Sequence, residues 1–207
     1  SVKGSILDAS QGPIYIGEGV NIQIGTLIQG PAALLKDATT NIGAKIRPNT
    51  TIGPGCKVGG EINHCIFFPF SNKAHDGYLG NSIVGSFSNL GALTNGSNLR
   101  NDIQAVSLYD YTLLAPRNTG LKSVGQIIGD FVTTGVSTSF NTGTVIGSHC
   151  NVSSIGFPPR YIPSFSFGEY PNLRAFDFEK AYAAACAWIN LKNQQIPENL
   201  RQSMEEI

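Results

Sequence analysis

The feature that most constrains the fold of this chain is a repeat with a period of six residues. From residue 128 onward an apolar or β-branched residue recurs at every sixth position, and a small or β-branched residue follows four positions later. The first set is Ile128, Thr134, Phe140, Ile146 and Val152, and the second is Val132, Thr138, Thr144 and Cys150. The same register runs through residues 16–38, 46–62 and 84–94. A short fixed period predicts a solenoid, in which stacked coils bury an inner face that no single coil could bury alone.

Each hexad has the composition of a short strand followed by a tight turn. Glycine follows the apolar position at Gly129, Gly135 and Gly147, where turn dihedrals disfavour a side chain. Sandwich strands come instead at ~8–12-residue spacing, which a register of six does not fit. Cys56 and Cys150 occupy the small inward position, so we expect both to be core residues rather than reactive thiols.

Two stretches break this register, near residues 62–83 and 95–127, and we predict that both are loop excursions from the solenoid. After Pro171 the pattern becomes helical, and a second helix is predicted to open at Pro197. One face of the first helix carries Phe178, Ala181, Tyr182, Ala185, Trp188 and Ile189. The sequence therefore predicts an all-β solenoid over residues 1–170. It also predicts a helical C-terminal extension over 171–207, which covers a coil end or contacts a neighbouring subunit.

Charge and cysteine content narrow the possible partners. The 207 residues carry 14 basic and 14 acidic side chains, so no net field would attract nucleic acid or an anionic membrane. The four cysteines have no zinc-finger or disulfide-framework spacing, which favours a reducing compartment and hence the cytoplasm. No apolar run approaches the length of a membrane span. Because the sequence opens on Ser1 and the repeat begins at once, we expect an excised domain or a processed chain.

The stretch SNKAHDGYLG, residues 71–80, holds His75, one of only three histidines. The surrounding segment NKAHDGYLGNSIVGSFSNLGALT, residues 72–94, resembles the acetyltransferase domain of a known bifunctional family. That family comprises the N-acetylglucosamine-1-phosphate uridyltransferase/glucosamine-1-phosphate acetyltransferases. In it a lysine-containing turn leads to histidine, then Tyr-Leu-Gly, a hexad and Asn-hydrophobic-Gly-Ala-Gly-Thr. The match needs no gap from Tyr78 to Thr94, and weaker likeness extends over most of residues 14–156.

The resemblance implies a fold and an activity. The fold is a left-handed parallel β-helix of hexapeptide repeats, in which three hexads make one triangular coil. The activity is transfer of an acetyl group from acetyl-CoA to the amine of a hexosamine 1-phosphate, most simply glucosamine 1-phosphate, in UDP-N-acetylglucosamine synthesis. It also implies a homotrimer with active sites between neighbouring β-helices, and no metal requirement for acetyl transfer.

The same resemblance suggests roles for individual residues. His75 is the predicted general base, because a neutral imidazole accepts a proton near working pH, and Asn89 is the second predicted catalytic residue. Arg47, Lys73, Tyr78 and Asn98 are predicted to bind the sugar phosphate. Gly91, Ala92, Ser137, Ser153, Ser154 and Arg160 are predicted to bind the coenzyme, with a backbone N–H near Gly91 and Ala92 as oxyanion donor.

The sequence departs from the family pattern at two points. The family's second sugar-phosphate lysine has no counterpart, since the corresponding stretch reads NHCIFFPF, and Lys73 is offered as its substitute. Leu93 replaces the second glycine of the Gly-Ala-Gly-Thr turn. Both changes bear on which sugar phosphate is bound.

Two other functions remain open at this point. A metal-dependent carbonic anhydrase-like protein would need three histidines converging on zinc. His64, His75 and His149 are separated by intervals that are not multiples of six, so the repeat does not hold them at one height. A non-catalytic β-helix that trimerises and regulates an attached nucleotidyltransferase is the other alternative, and the missing lysine favours it.

Overall fold

The computed structural model describes residues 1–207 and shows a left-handed parallel β-helix with three faces, followed by two short helices. The first face is built from β1 (Ile6–Asp8), β4 (Leu27–Gln29), β7 (Lys45–Ile46), β10 (Glu61–Asn63), β13 (Tyr78–Gly80), β15 (Asn95–Gly96) and β20 (Ser139–Phe140). The second face is built from β2 (Ile14–Ile16), β5 (Ala32–Leu34), β8 (Thr50–Ile52), β11 (Ile66–Phe67), β14 (Ile83–Val84), β18 (Ile127–Ile128), β21 (Val145–Ile146) and β23 (Tyr161–Ile162).

The third face is divided between two sheets that are joined by single-residue bridges at Asn89, one to Asn72 and one to Thr133. Its lower sheet contains β3 (Asn21–Ile22), β6 (Thr39–Thr40), β9 (Lys57–Val58) and β12 (Asn72–Lys73). Its upper sheet contains β19 (Thr133–Thr134), β22 (Asn151–Ser154), β24 (Ser166–Tyr170) and β25 (Arg174–Ala175).

The hexad positions form the interior of the solenoid, as the repeat predicts. Twenty-four buried apolar residues make one continuous cluster that runs up the axis. The small position is often threonine, whose hydroxyl bonds to that of a neighbouring coil: Thr26 lies 3.1 Å from Thr40, and Thr94 lies 2.9 Å from Thr134. Cys56 and Cys150 are buried, and burial raises the pKa of each thiol to about 11, which keeps both unreactive at neutral pH.

The excursion predicted near residues 62–83 does not exist. Those residues stay in the coil as β10 to β14, and the sequence register breaks because the coils are shorter there. Lys57 pairs with Asn72, 15 residues further on, and Glu61 pairs with Tyr78, 17 residues further on. Residues are lost at corners, which a parallel ladder tolerates because its strand pairing is unaffected.

Residues between β15 and β18 do leave the coil. They include an antiparallel hairpin of β16 (Ser107–Asp110) and β17 (Ala115–Asn118). The hairpin folds onto the second face, where the ring of Tyr109 stacks on that of Tyr161 with centroids 3.6 Å apart. The chain re-enters at Gln126, whose buried side-chain amide donates to the backbone carbonyls of Ser97 and Asn141.

The C-terminal extension contains α1 (Phe178–Leu191) and α2 (Leu200–Glu205). Asp177 caps α1 by accepting from the backbone N–H of Lys180 at 3.0 Å. The buried side of α1 packs against a ladder of rings at the corner between the second and third faces. The ladder consists of Phe70, Phe87, Phe131, His149 and Phe165. Neither helix is long and apolar enough to cross a membrane.

Candidate active site

His75 lies on the corner between the third and first faces, in the turn that joins β12 to β13. Its side chain is exposed, and its imidazole takes part in no hydrogen bond within the chain. The backbone of this turn is also held by hydrogen bonds from the coils below and above it. Asn41 reaches up from a lower coil and donates to the carbonyl of Ala74 at 2.7 Å, while Leu93 N–H donates to the carbonyl of Asp76 at 2.9 Å. A fixed backbone therefore presents an imidazole that is free to accept a proton.

A recess lies directly beneath this turn. The corner one coil below is only Gly59 and Gly60, two residues shorter than the corner that carries His75. A Cβ on Gly59 would stand 2.2 Å from the carbonyl oxygen of Ala74, so only glycine permits this stacking. The shorter corner leaves a cavity of about 440 Å³. Its walls are Gln23, Asn41, Ile42, Gly59, Gly60, Ala74, His75 and Asp76.

Lys73 does not contact this surface, and the prediction that it binds the sugar phosphate is wrong. Its side chain is 0% exposed and points into the solenoid, in line with Val58 below and Leu90 above. Its Nζ donates to the backbone carbonyls of His75 at 2.5 Å and Asp76 at 3.0 Å. Burial lowers the pKa of Lys73 to about 8, with the nearby Asp76 carboxylate acting in the opposite direction.

The other three predicted sugar-phosphate residues lie on the first face or at its corner with the second face, the corner away from His75. Arg47 projects from the end of β7, and its guanidinium is 3.7 Å from the carboxylate of Glu61. The Tyr78 hydroxyl lies directly over Gly80. A Cβ added to Gly80 would be 2.2 Å from that hydroxyl and 2.9 Å from Nδ2 of Asn98, so the two side chains meet above this glycine. A face with a half-exposed arginine, a phenol and an amide can bind a phosphorylated sugar by charge and by hydrogen bonds.

Asn89 lies on the third face, beneath α1 rather than beside His75 in the turn. It is the end of a polar chain that begins at Lys192, directly after α1. Lys192 Nζ donates to Asn72 Oδ1 at 2.8 Å, and Asn72 Nδ2 donates to Asn89 Oδ1 at 3.2 Å. These bonds occupy the amide oxygen of Asn89 and leave its NH₂ group for other partners. The sequence named Asn89 but gave no sign of Asn72 or Lys192, since their pairing crosses 120 residues.

Small residues line the corner above His75. Ala74, Gly91, Gly135 and Ser153 follow one another up the edge of the third face. A Cβ on Gly91 would stand 2.7 Å from the Gly135 carbonyl, and one on Gly135 would stand 2.6 Å from Cβ of Ser153. The N–H of Gly91 already donates to the Thr134 hydroxyl at 2.9 Å. The N–H of Ala92, by contrast, has no partner in the chain. Of the two predicted oxyanion donors, therefore, only Ala92 is free.

The remaining predicted coenzyme residues are spread over two corners. Ser137 is exposed on the His75 corner and donates its backbone N–H to the Ala92 carbonyl at 2.7 Å. Ser154 is buried, and its hydroxyl donates to the Gly156 carbonyl. Arg160 lies at the next corner, between the first and second faces. There it lines a cavity of about 380 Å³ together with Arg100, Asp102 and Phe157. Within one chain it does not join the His75 corner.

The three histidines occupy three different corners of the coil. His64 is between the first and second faces, where it bonds to Asn49 and Asn63, and His149 is inside the aromatic ladder. No group of three or more histidine, cysteine or acidic side chains that could hold a metal ion occurs in the chain. The zinc-dependent alternative thus has no ligand set within one chain.

Comparison with known proteins agrees with this fold. No protein-family model matches the chain. The bifunctional protein GlmU of Methanococcus aeolicus is 36% identical over 141 residues, which cover 67% of this chain and 34% of that protein. An uncharacterized acetyltransferase, YaiX, of Escherichia coli O6:K15:H31 is 29% identical over 164 residues, covering 78% of this chain and 70% of that protein.

One solved structure aligns along nearly the whole chain. It is a putative acetyltransferase of Bacillus cereus, with a TM-score of 0.50, 12% identity and coverage of 98% of both chains, and it shows the fold alone. The chain spans about a third of the length of the GlmU proteins that it matches. The homologues of this chain are thus bifunctional GlmU proteins and acetyltransferases, and its fold is that of the hexapeptide-repeat acyltransferases.

Proposed function

We propose that this homologue of the GlmU proteins transfers an acetyl group from acetyl-CoA to the amine of a hexosamine 1-phosphate, with glucosamine 1-phosphate as the favoured acceptor. The product would serve UDP-N-acetylglucosamine synthesis in the cytoplasm. The observation that carries the proposal is the exposed, unbonded imidazole of His75 on a held turn. It has a recess below it, the face that carries Arg47 and Tyr78 on one side and a column of small residues above it.

The residues around His75 supply what amide formation needs. The acceptor amine attacks the thioester carbonyl carbon, and the carbonyl electron pair moves to oxygen. The free N–H of Ala92 lies one coil above the His75 turn, where it can donate to that oxyanion. His75 takes the proton that the amine loses as the C–N bond forms. Collapse of the tetrahedral intermediate breaks the C–S bond and releases the coenzyme as its thiolate, which takes up a proton.

Binding is divided between the first face and the corner. Arg47 would pair with the sugar phosphate, exchanging its weak contact with Glu61 for a stronger one, and Tyr78 would hydrogen-bond the sugar. The pantetheine arm would follow Ala92, Ser137 and Ser153, where small side chains leave a groove. The free NH₂ group of Asn89 would donate a hydrogen bond to the acyl donor or to the acceptor. That ligand would be bound either by the same subunit or by an adjoining one.

We further propose that the active form is a symmetric homotrimer. The outward residues of the second face include Tyr15, Ile66 and Ile83, which are 60%, 46% and 36% exposed and lie in one column. An apolar column on a flat parallel sheet is suited to contact with a second copy of the chain.

The direct test is release of free thiol from acetyl-CoA in the presence of glucosamine 1-phosphate. We expect release with the wild-type chain and a loss of about 10²-fold or more in kcat for H75A, in line with removal of a general base. H64A is the matched control, since His64 is also exposed and lies at another corner. Release that is unchanged in H75A would overturn the assignment of His75 as base.

A second candidate is a regulatory β-helix without catalytic activity. The burial of Lys73 favours it, because no lysine then takes the place of the missing sugar-phosphate lysine. Absence of thiol release across a panel of amino-sugar phosphates, with the trimer intact by light scattering, would support this candidate over the enzyme.

A further inference from the structure

The interior of the solenoid contains one charged side chain. The inward column of the third face reads Ile22, Thr40, Val58, Lys73, Leu90, Thr134 and Val152 from bottom to top. Every other member is apolar or a threonine, and Lys73 is as completely buried as Val58. A leucine or methionine at this position would satisfy the hexad pattern at lower cost, because burying an ammonium group is unfavourable unless it is well paired.

The partners of Lys73 show what the buried charge does. It forms no ion pair with a carboxylate, and its two hydrogen bonds go to consecutive backbone carbonyls, those of His75 and Asp76. A Cβ on Gly77 would be 3.2 Å from the same Nζ, so the ammonium lies under the whole turn from His75 to Gly77. The buried cation thus binds the one turn that presents the imidazole.

The middle of this turn needs such support, because the coil beneath it reaches only the two ends: Gly59 lies under Ala74, and Gly60 lies under Gly77. In a regular solenoid each corner rests on the corner below. Here the lower corner is the two-residue Gly59–Gly60 segment, and the recess opens where the supporting backbone would otherwise be. Asn41 holds Ala74 from the coil below that, but His75 O and Asp76 O receive their bonds from the interior. Leu93 N–H adds one further bond to Asp76 from above.

We propose that Lys73 is a positioning residue for His75: its buried ammonium fixes the middle of the turn, over the recess, and so holds the imidazole in place while the recess stays open. The proposal rests on the proposed function of His75, but the first measurement that tests it, NMR of the histidine rings, does not depend on that function. Because a displacement of about 1 Å at a reacting group can lower the rate by about 10²-fold, the expected cost of losing Lys73 is in kcat rather than in substrate binding.

The test compares K73M with the wild-type chain. Methionine keeps the length and apolar stem of lysine and removes the ammonium, so the fold should persist with an equal or higher thermal midpoint. Proton–carbon NMR of the histidine rings reports on the turn, since the chain has only three histidines. We expect the His75 cross-peak to shift or broaden in K73M, while those of His64 and His149 stay unchanged. In the thiol-release assay kcat should fall about 10- to 100-fold, with each KM within about threefold of wild type.

K73Q is the second variant, because its amide can still donate to one of the two carbonyls. We expect its kcat and its His75 cross-peak to lie between those of wild type and K73M. A His75 cross-peak and kcat that are unchanged in K73M would overturn the proposal. So would loss of folding in both variants, or a shift of all three histidine cross-peaks together, since either would assign Lys73 a general structural role.

The failure of the proposed function is recognised separately. If the wild-type chain releases no thiol with any acceptor, the acetyltransferase proposal fails. The NMR comparison then still decides whether Lys73 holds the His75 turn.

Discussion

His149 provides a quantitative test of the packing between α1 and the β-helix. Its ring is stacked between those of Phe131 and Phe165, with centroids 4.9 Å and 5.2 Å away. The residue is 5% exposed, and its Nδ1 is buried without a hydrogen-bond partner. The backbone has φ of 57° at His149 and nearly the same value, 56° and 57°, at the two flanking phenylalanines. Phenylalanine therefore fits this position without new backbone strain, and H149F is the perturbation we choose.

The magnitude follows from proton linkage. Burial lowers the pKa of His149 from 6.5 to about 4. At pH values between 4 and 6.5 the unfolded chain binds a proton at His149 that the folded chain does not. The contribution of His149 to the unfolding free energy therefore falls as the pH drops from 6.5 to 4, and it is constant above 6.5 and below 4. From pH 7 to pH 5 this residue alone should cost about 2 kcal/mol of unfolding free energy. Removing the unpaired Nδ1 should add about 1 kcal/mol to the stability of H149F at pH 7.

The assay is equilibrium unfolding in urea at pH 7 and pH 5, followed by tryptophan fluorescence and far-ultraviolet circular dichroism. We expect the advantage of H149F over wild type to grow by about 2 kcal/mol between the two pH values. H64F is the matched control, because it makes the same change at an exposed histidine whose φ is also positive, at 53°. H64F should lose as much unfolding free energy as the wild-type chain between pH 7 and pH 5.

One result would refute this reasoning. If wild type and H149F lose the same unfolding free energy between pH 7 and pH 5, the ring of His149 is not desolvated in the folded chain. The ladder between the second and third faces would then be open to water, and α1 would not seal that corner.

Three further predictions concern the proposed reaction and assembly. R47M should raise the KM for the sugar phosphate about tenfold or more with kcat within about threefold, as expected for lost ground-state pairing, and an unchanged KM in steady-state kinetics would remove Arg47 from the acceptor site. A92L should fill the groove above His75 and raise the KM for acetyl-CoA about fivefold or more, whereas an effect confined to the acceptor KM would relocate the coenzyme arm. I66E should lower the mass measured by light scattering from trimer to monomer, because a charge in a buried apolar contact is unpaired, and a trimer that persists would place the interface on another face.

The hexads made the solenoid predictable, while the local path of the chain was harder to foresee. The repeat identified the inward residues in four segments because each coil needs the same apolar filling. Near residues 62–83 the same logic predicted a loop, although the strands there pair in an unbroken ladder. A lost register in sequence can mean an inserted loop or a shortened corner, and only the strand pairing distinguishes the two. The Gly59–Gly60 segment was the available sign of a shortened corner.

The family resemblance also misjudged one position in the candidate site. Lys73 was offered as the substitute for the missing sugar-phosphate lysine, yet it lies six residues from each of the buried residues Phe67 and Leu79, a spacing that marks an inward position. The coenzyme role of Ser154 stays a prediction, and its hydroxyl donates to the carbonyl of Gly156. The roles predicted for His75, Asn89 and Arg47 are matters for the kinetic tests above.

The sequence by itself determined the parallel β-helix, the helical extension and the place of His75 in a turn, because these depend on short-range periodicity and local motifs. Tertiary structure decided what surrounds that turn. The recess over Gly59–Gly60, the ammonium of Lys73 beneath two carbonyls and the chain from Lys192 through Asn72 to Asn89 all join residues from different coils or from the C-terminal helix. Such contacts depend on how many residues each corner contains and on where α1 packs, and a six-residue repeat encodes neither.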